Sequence, residues 1–258
     1  MERCGVQGIQ FVLSIILARL IAPADYGLLA LLLVFIQIAN VFIQSGFNTA
    51  LIQKKEADEI DFSSVFYFSL FVAALLYTLL YFTSPLIARF FKQDKLSPLL
   101  RVLSFTLFFG AVNSVQAAYV SKNMQFKRFF FSNMGAIIIS GTFGLILALK
   151  GKGAWALVTQ HLTYGIGACV INWFTVKWRP KLIFSLKRLK SLFSFGCKLL
   201  ISSLLDTVFR NIYNLIVGRI YDSTALGYFN RGHQFPQIIA TNLDGSIQSV
   251  MLPTLSAN

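Results

Sequence analysis

Residues 177–190 read KWRPKLIFSLKRLK, with six Lys or Arg and no acid. Long apolar runs stop before this stretch and resume after it, so its reading decides how the chain is divided. Leu182, Leu186, Leu189 and Phe193 fall within about 60° of one another on a helical wheel, with the basic side chains off that stripe. The pattern predicts an amphipathic helix that lies on an anionic membrane surface and joins two membrane lobes. The plainer alternative is an ordinary basic loop. Either way the stretch separates two halves.

The flanking sequence says what kind of halves these are. The chain has 258 residues, of which 56% are hydrophobic and 13% charged, whereas soluble domains carry about 25% charged residues. Apolar runs of about twenty residues have the length at which a helix crosses hydrocarbon. Spans are predicted at Val6–Ala22, Leu28–Ile52, Phe62–Phe82, Leu99–Val120, Phe129–Leu149, Gly153–Val176, Leu199–Ile220 and roughly Phe235–Leu252. The expected fold is therefore an all-α polytopic membrane protein with about eight transmembrane helices. It divides into a six-helix lobe over residues 1–176, a basic cytoplasmic linker over 177–198, and the start of a second lobe over 199–258.

Charge orients this topology. With the N-terminus in the cytoplasm, cytoplasmic loops receive more of the 23 Lys and Arg than the opposite side does, as in most membrane proteins. The net charge of +13 then needs no nucleic-acid partner. Cys4, Cys169 and Cys197 have no metal or redox spacing and are expected to be packing residues. No Walker loop, dinucleotide fingerprint or zinc spacing is present, so neither an enzyme nor a cofactor is expected. The acidic residues Glu56, Asp58, Glu59 and Asp61, beside Lys54 and Lys55, are expected to form a solvated loop rather than a metal site.

The halves resemble each other. Residues 18–28, ARLIAPADYGL, align with residues 218–228, GRIYDSTALGY, at an offset of 200. In each, an arginine closes a span (Arg19, Arg219) and a glycine eight residues later opens the next (Gly27, Gly227). Polar positions inside the spans follow the same offset. Gln7, Gln10 and Ser14 correspond to Thr207, Arg210 and Asn214. Gln37, Asn40, Gln44 and Asn48 correspond to Gln237, Ala240, Asp244 and Gln248. Six of these seven positions are polar in both copies. Six spans separate the copies, an even number, so the repeats are parallel about an axis along the membrane normal. A complete second lobe would need four further spans, so the sequence reads as ending part-way through it.

Polar residues inside spans mark the candidate site. Ser202, Ser203, Asp206, Arg210, Tyr213 and Asn214 share a face about 120° wide. An arginine left in lipid costs at least about 2.5 kcal/mol, so Arg210 is expected to face the interior. There it either pairs with Asp206, one helical turn away, or binds a phosphate through its planar fork. Asp244 could pair with Arg210 or, like Asp206, hold a coupling cation. Gln10, Ser14, Gln37, Gln44 and Asn48 either hydrogen-bond sugar hydroxyls or bond between helices. Arg19 is expected to snorkel to the interface, and His161 to be a satisfied core histidine.

The stretches LARLIAPADYG (17–27), SGFNTALIQKK (45–55), ALGYFNRGHQFPQ (225–237) and VMLPTLS (250–256) resemble polysaccharide flippases of the colanic-acid and O-antigen exporter type. These belong to the multidrug, oligosaccharidyl-lipid and polysaccharide exporter superfamily. The resemblance implies a bacterial inner-membrane protein with two six-helix lobes. It implies a lipid-linked oligosaccharide as substrate, a repeat unit on undecaprenyl diphosphate, in contact with membrane lipids and with polysaccharide polymerase machinery. It also implies cationic residues on the first helix of each lobe. Arg210 fits that pattern, while the first lobe offers Gln10. The alternative within the superfamily is a multidrug exporter, whose cation substrates call for an acidic or aromatic cavity.

Overall fold

A computed structural model of the chain describes residues 2–44, 51–52, 58–123 and 126–233. The helices are α1 (Glu2–Leu20), α2 (Pro23–Gln44), α3 (Glu59–Phe90), α4 (Leu96–Leu103), α5 (Thr106–Lys122), α6 (Phe126–Leu149), α7 (Ala154–Thr175) and α8 (Leu186–Ile220). Residues 223–233 form α9, and no strand occurs among the described residues. The chain is an all-α, multi-pass membrane protein. Five segments are long and apolar enough to cross a membrane: α2, α3, α4 with α5, α6 from Phe129, and α7. In α1 the described residues Gly8–Leu20 form an apolar helix. The run expected over Leu199–Ile220 lies inside α8, whose apolar and polar residues are interleaved. The run expected near Phe235–Leu252 lies outside the described residues.

Local chemistry sets the helix ends. Pro23 opens α2, where its missing N–H costs nothing, and Asp25 sits in the positive first turn. The Asp58 N–H at the start of α3 donates to the Asp61 carboxylate at 3.1 Å, satisfying an otherwise orphan donor. With 32 residues, α3 is about 48 Å long. It therefore extends past a hydrocarbon core of about 30 Å. Between α6 and α7 the chain reverses through Gly151 and Gly153, at φ 68° and 54°, a region where side chains with a Cβ are strained. The two helices then close as a hairpin through small residues, with Gly167 against Ala136 and Gly135 against Ile171.

The 200-residue offset has a geometric counterpart. α1 and α2 are separated by residues 21–22, and α8 and α9 by residues 221–222. A Cβ on Gly27 would stand 1.7 Å from the Ser223 carbonyl oxygen, and one on Gly227 would stand 1.9 Å from the Pro23 oxygen. Position 223 is the repeat of 23, so the contact is reciprocal, as a local two-fold axis requires. The direction of the axis follows from the pairings. Gln37 meets Asn211 and Leu31 meets Gly218, so α8 runs antiparallel to α2. Asn214 meets Asn230 and Gly218 meets Leu226, so α9 folds back on α8 and runs parallel to α2. The two glycines are where two helix backbones touch.

The basic stretch departs from its expected form. Residues 176–185 carry no helix, and α8 then runs from Leu186 to Ile220 without a break. Leu182 is 94% exposed and belongs to no helical stripe, whereas Leu189 is buried. Pro180 disfavours helical geometry at Arg179, and beyond it the Lys181 and Ser185 N–H groups bond to α3 rather than within a helical turn. The acidic residues are likewise not a solvated loop. Arg188 meets Asp58 at 2.8 Å and the fully buried Asp61 at 3.5 Å, and Lys181 pairs with Glu59. Glu56 lies outside the described residues. The Asp58 hydrogen bond and the Asp61 charge hold the Arg188 proton more firmly than an isolated guanidinium would. The N–H groups of Lys181 and Ser185 donate to the hydroxyls of Ser63 and Ser64, each at 3.0 Å. Trp178 is buried against Phe62, Phe66 and Tyr119. Arg179 donates to the Val176 and Trp178 carbonyls and lies over the Trp173 ring, capping the negative end of α7. The stretch is thus a docked strap joining the end of α7 to the start of α8.

Candidate functional site

α1 packs on α6 and α8 packs on α2, and a cavity of about 980 Å³ lies among them. α1 contributes Gln10, Leu13, Ser14 and Leu17 to its lining, and α2 contributes Tyr26 and Gln37. The hairpin adds Ser140, Gln160, His161 and Tyr164. α8 adds Arg210, Asn211, Tyr213 and Asn214, and α9 adds Asn230, Arg231 and His233. Both copies of the repeat therefore supply its wall.

Of the residues singled out from sequence, Gln10, Ser14, Gln37, Arg210 and Asn214 line this cavity together. Their individual settings differ. The Ser14 hydroxyl donates to its own helix, at the Phe11 carbonyl, 2.8 Å away. Gln37 accepts from Asn211 at 2.8 Å, an interhelical bond between α2 and α8. Asn214 accepts from Asn230 at 3.0 Å and donates to Asn211 at 3.3 Å. The result is a continuous amide chain, Asn230–Asn214–Asn211–Gln37, across three helices. Arg210 Nε lies 2.9 Å from both carboxylate oxygens of Asp206. Those side chains are 69% and 58% exposed, so the pair holds by only about 0.5 kcal/mol.

Other expected residues stand elsewhere. Gln44 donates to Asn40 at 3.3 Å, and both approach Gly110 of α5 rather than the cavity. Arg19 is exposed and outside the lining. Asn48 and Asp244 lie outside the described residues. His161 is part-buried and lines the cavity. The sequence reading passes over Asn211, Asn230, Tyr26 and Arg231. A signal existed for the first: Thr207, Asn211, Asn214 and Gly218 recur at steps of four, three and four, the seam by which α8 packs on α2. Arg231 sits in α9, with its guanidinium carbon 3.6 Å from the centre of the Tyr26 ring.

Two arginines line the cavity, and no Asp or Glu does among the described residues, although Arg210 is paired with Asp206 just outside the lining. Amides, hydroxyls and two histidines make up the rest of its polar surface. Such a wall offers forked donors to an anion and hydrogen bonds to hydroxyls.

The profile of the family described as "Polysaccharide biosynthesis protein" matches residues 16–258. The chain belongs to the polysaccharide biosynthesis protein family. Among curated relatives, the teichuronic acid biosynthesis protein TuaB of Bacillus subtilis is 26% identical over 85% of this chain and 46% of its own length. The succinoglycan biosynthesis transport protein ExoT of Rhizobium meliloti is 21% identical over 98% of this chain and 51% of its own. The lipopolysaccharide biosynthesis protein WzxC of Escherichia coli is 24% identical over 96% and 51%. This polysaccharide biosynthesis family member thus spans about half the length of the curated relatives it matches. No solved structure matches it.

Proposed function

We propose that this protein moves a lipid-linked oligosaccharide, a repeat unit carried on undecaprenyl diphosphate, from the cytoplasmic to the periplasmic leaflet of a bacterial inner membrane. The observation that carries the proposal is the cavity between the repeats, walled by amides, hydroxyls and two guanidiniums and by no described carboxylate. A diphosphate with a sugar head loses its water on entering hydrocarbon, at a cost of several kcal/mol for each unsatisfied polar group. The cavity wall replaces that water. Arg210 takes the phosphate, releasing an Asp206 pair that is weak because it is exposed. Gln10, Ser14 and the amide chain take sugar hydroxyls. Membrane lipids flank the opening, and a polysaccharide polymerase receives the product. In this reading residues 1–176 form one lobe, 177–198 the joining strap and 199–258 the start of the second lobe, and rocking of the lobes alternates access. A cavity of this sign does not suit the organic cations of a multidrug exporter.

The test is export in a strain whose polysaccharide depends on this protein. Arg210→Ala and Arg210→Lys should both lower export at normal membrane abundance, because a lysine lacks the planar fork. The double variant Asp206→Asn, Arg210→Gln leaves no orphan charge. Recovery of export in that variant would make the pair structural and remove Arg210 from the site.

Orientation is checked separately. With the N-terminus cytoplasmic, an impermeant thiol reagent on intact cells should label a cysteine at Lys152 and spare one at Lys187. The reverse pattern would invert the topology and the direction of transport.

A further inference from the structure

The strap carries an apolar tip that its docking contacts leave uncovered. The Lys181 and Ser185 N–H groups tie it to Ser63 and Ser64, one on each side of residues 182–184. Between those ties the Ile183 N–H donates back to the Lys181 carbonyl at 2.7 Å, a three-residue turn with Leu182 at its apex. Leu182, Ile183, Phe184 and Leu186 are all exposed, while Trp178 and Leu189 on either side are buried. The level of this tip follows from the neighbouring helices. On α3 the large exposed apolar side chains run from Phe71 through Leu75, Leu79 and Phe82 to Phe90, about 28 Å along the axis. On α7 they run from Trp155 to Phe174, again about 28 Å. Both lengths match a hydrocarbon core of about 30 Å. The strap starts directly after this stripe of α7, and Ser63 and Ser64 lie about 11 Å beyond Phe71 on the α3 axis. The tip therefore stands between these two levels, in the headgroup layer.

We infer that the strap is an interfacial anchor for anionic lipid, with its apolar tip among the upper acyl chains and Lys177, Lys187 and Lys190 on the headgroups. This goes beyond the transport reading and stands without it. Charge decides the lipid class. The acids beside the strap are already matched, Glu59 with Lys181, and Asp58 and Asp61 with Arg188. Arg179 is turned onto the carbonyls at the end of α7. Lys177, Lys187 and Lys190 remain exposed, with no acidic partner among the described residues. One of these lysines precedes the tip and two follow it, so phosphates around the tip are met from both sides. Their stems can lie along apolar surface while the ammonium groups reach the phosphates. Each lysine near an anionic surface favours it by about fivefold, whereas a zwitterionic surface offers no net attraction. The apolar side chains thus set the depth, and the lysines select the headgroup.

The experiment places a polarity-sensitive dye on the whole chain at Leu182→Cys, in a background of Cys4→Ser, Cys169→Ala and Cys197→Ala. The protein is reconstituted into vesicles of phosphatidylcholine and phosphatidylglycerol in equal parts. A nitroxide quencher near the top of the acyl chain is carried by one lipid or by the other. Labelled phosphatidylglycerol should quench the dye roughly fivefold more strongly than labelled phosphatidylcholine. The triple variant Lys177→Gln, Lys187→Gln, Lys190→Gln should bring the two lipids level while the dye stays quenched. Added salt should narrow the difference with the lysines intact, because it screens exposed charges, and that arm needs no lysine variant to fold. Equal quenching by both lipids with the lysines intact would overturn the anionic selection. Full preference for phosphatidylglycerol in the triple variant would overturn the role of the lysines. Aqueous emission without quenching by either lipid would put the tip in water or against another protein and overturn the anchor altogether. The transport reading survives each of these results.

Discussion

Arg188 and Arg210 both sit on α8 and both meet aspartates, yet they are held in opposite ways. Arg188 reaches α3, to Asp58 and Asp61, partners distant in sequence, and Asp61 is fully buried. Around that contact lie Trp178 in its aromatic cage and two backbone bonds to serines. Among the described residues Arg210 reaches Asp206, on its own helix, and both side chains stand open. The first pair is part of a docking surface with several independent contacts. The second is local and weak, and its arginine lines the cavity. A residue that must exchange partners needs the second arrangement, because its release costs little. A residue that fixes one element on another needs the first.

Three substitutions break or sharpen this contrast. The largest effect is expected from Trp178→Ala, which empties the cage between α3 and α5. It should cost about 3–5 kcal/mol of stability, read as a lower unfolding midpoint in detergent. A shift under about 1 kcal/mol would mean that the strap is not held by Trp178. Asp61→Ala comes next, at about 1.5–3 kcal/mol, because it removes an acceptor shared by Arg188 and the Asp58 N–H. It should also expose residues 177–188 to limited proteolysis. Arg210→Gln should change stability least, within about 0.5 kcal/mol, in the same melts. If Arg210→Gln unfolds the protein as readily as Asp61→Ala, the two arginines are held alike and the distinction fails.

Much of the architecture was legible because it rests on short-range patterns. Runs of about twenty apolar residues read as spans wherever they occur. Pro23 marks a helix start, and Gly27 and Gly227 mark equivalent places in two repeats. Local patterns mislead where a distant contact overrides them. The stripe Leu182–Leu186–Leu189–Phe193 has helical spacing, yet the burial of Trp178 and the backbone bonds of Lys181 and Ser185 to α3 keep the first part of that stretch extended. The acids at 58–61 read as a solvated loop because Arg188 and Lys181 lie far along the chain and are brought to them by the course of α7 and α8.

The same division runs through the candidate site. Sequence alone determined that Arg210 and Asn214 share a polar face with Asp206, since helical periodicity fixes which residues of one helix stand together. It also aligned positions 19–28 with 219–228 through Arg19 and Arg219 and through Gly27 and Gly227. Only the tertiary structure decided that Asn211 turns to Gln37, that Gln44 turns to Asn40 and away from the cavity, and that Arg231 meets Tyr26. Those pairings depend on the rotation and approach of one helix against another. That rotation is set by the summed packing of both surfaces, including the reciprocal glycine contact at Gly27 and Gly227, and neither helix's own sequence encodes it by itself.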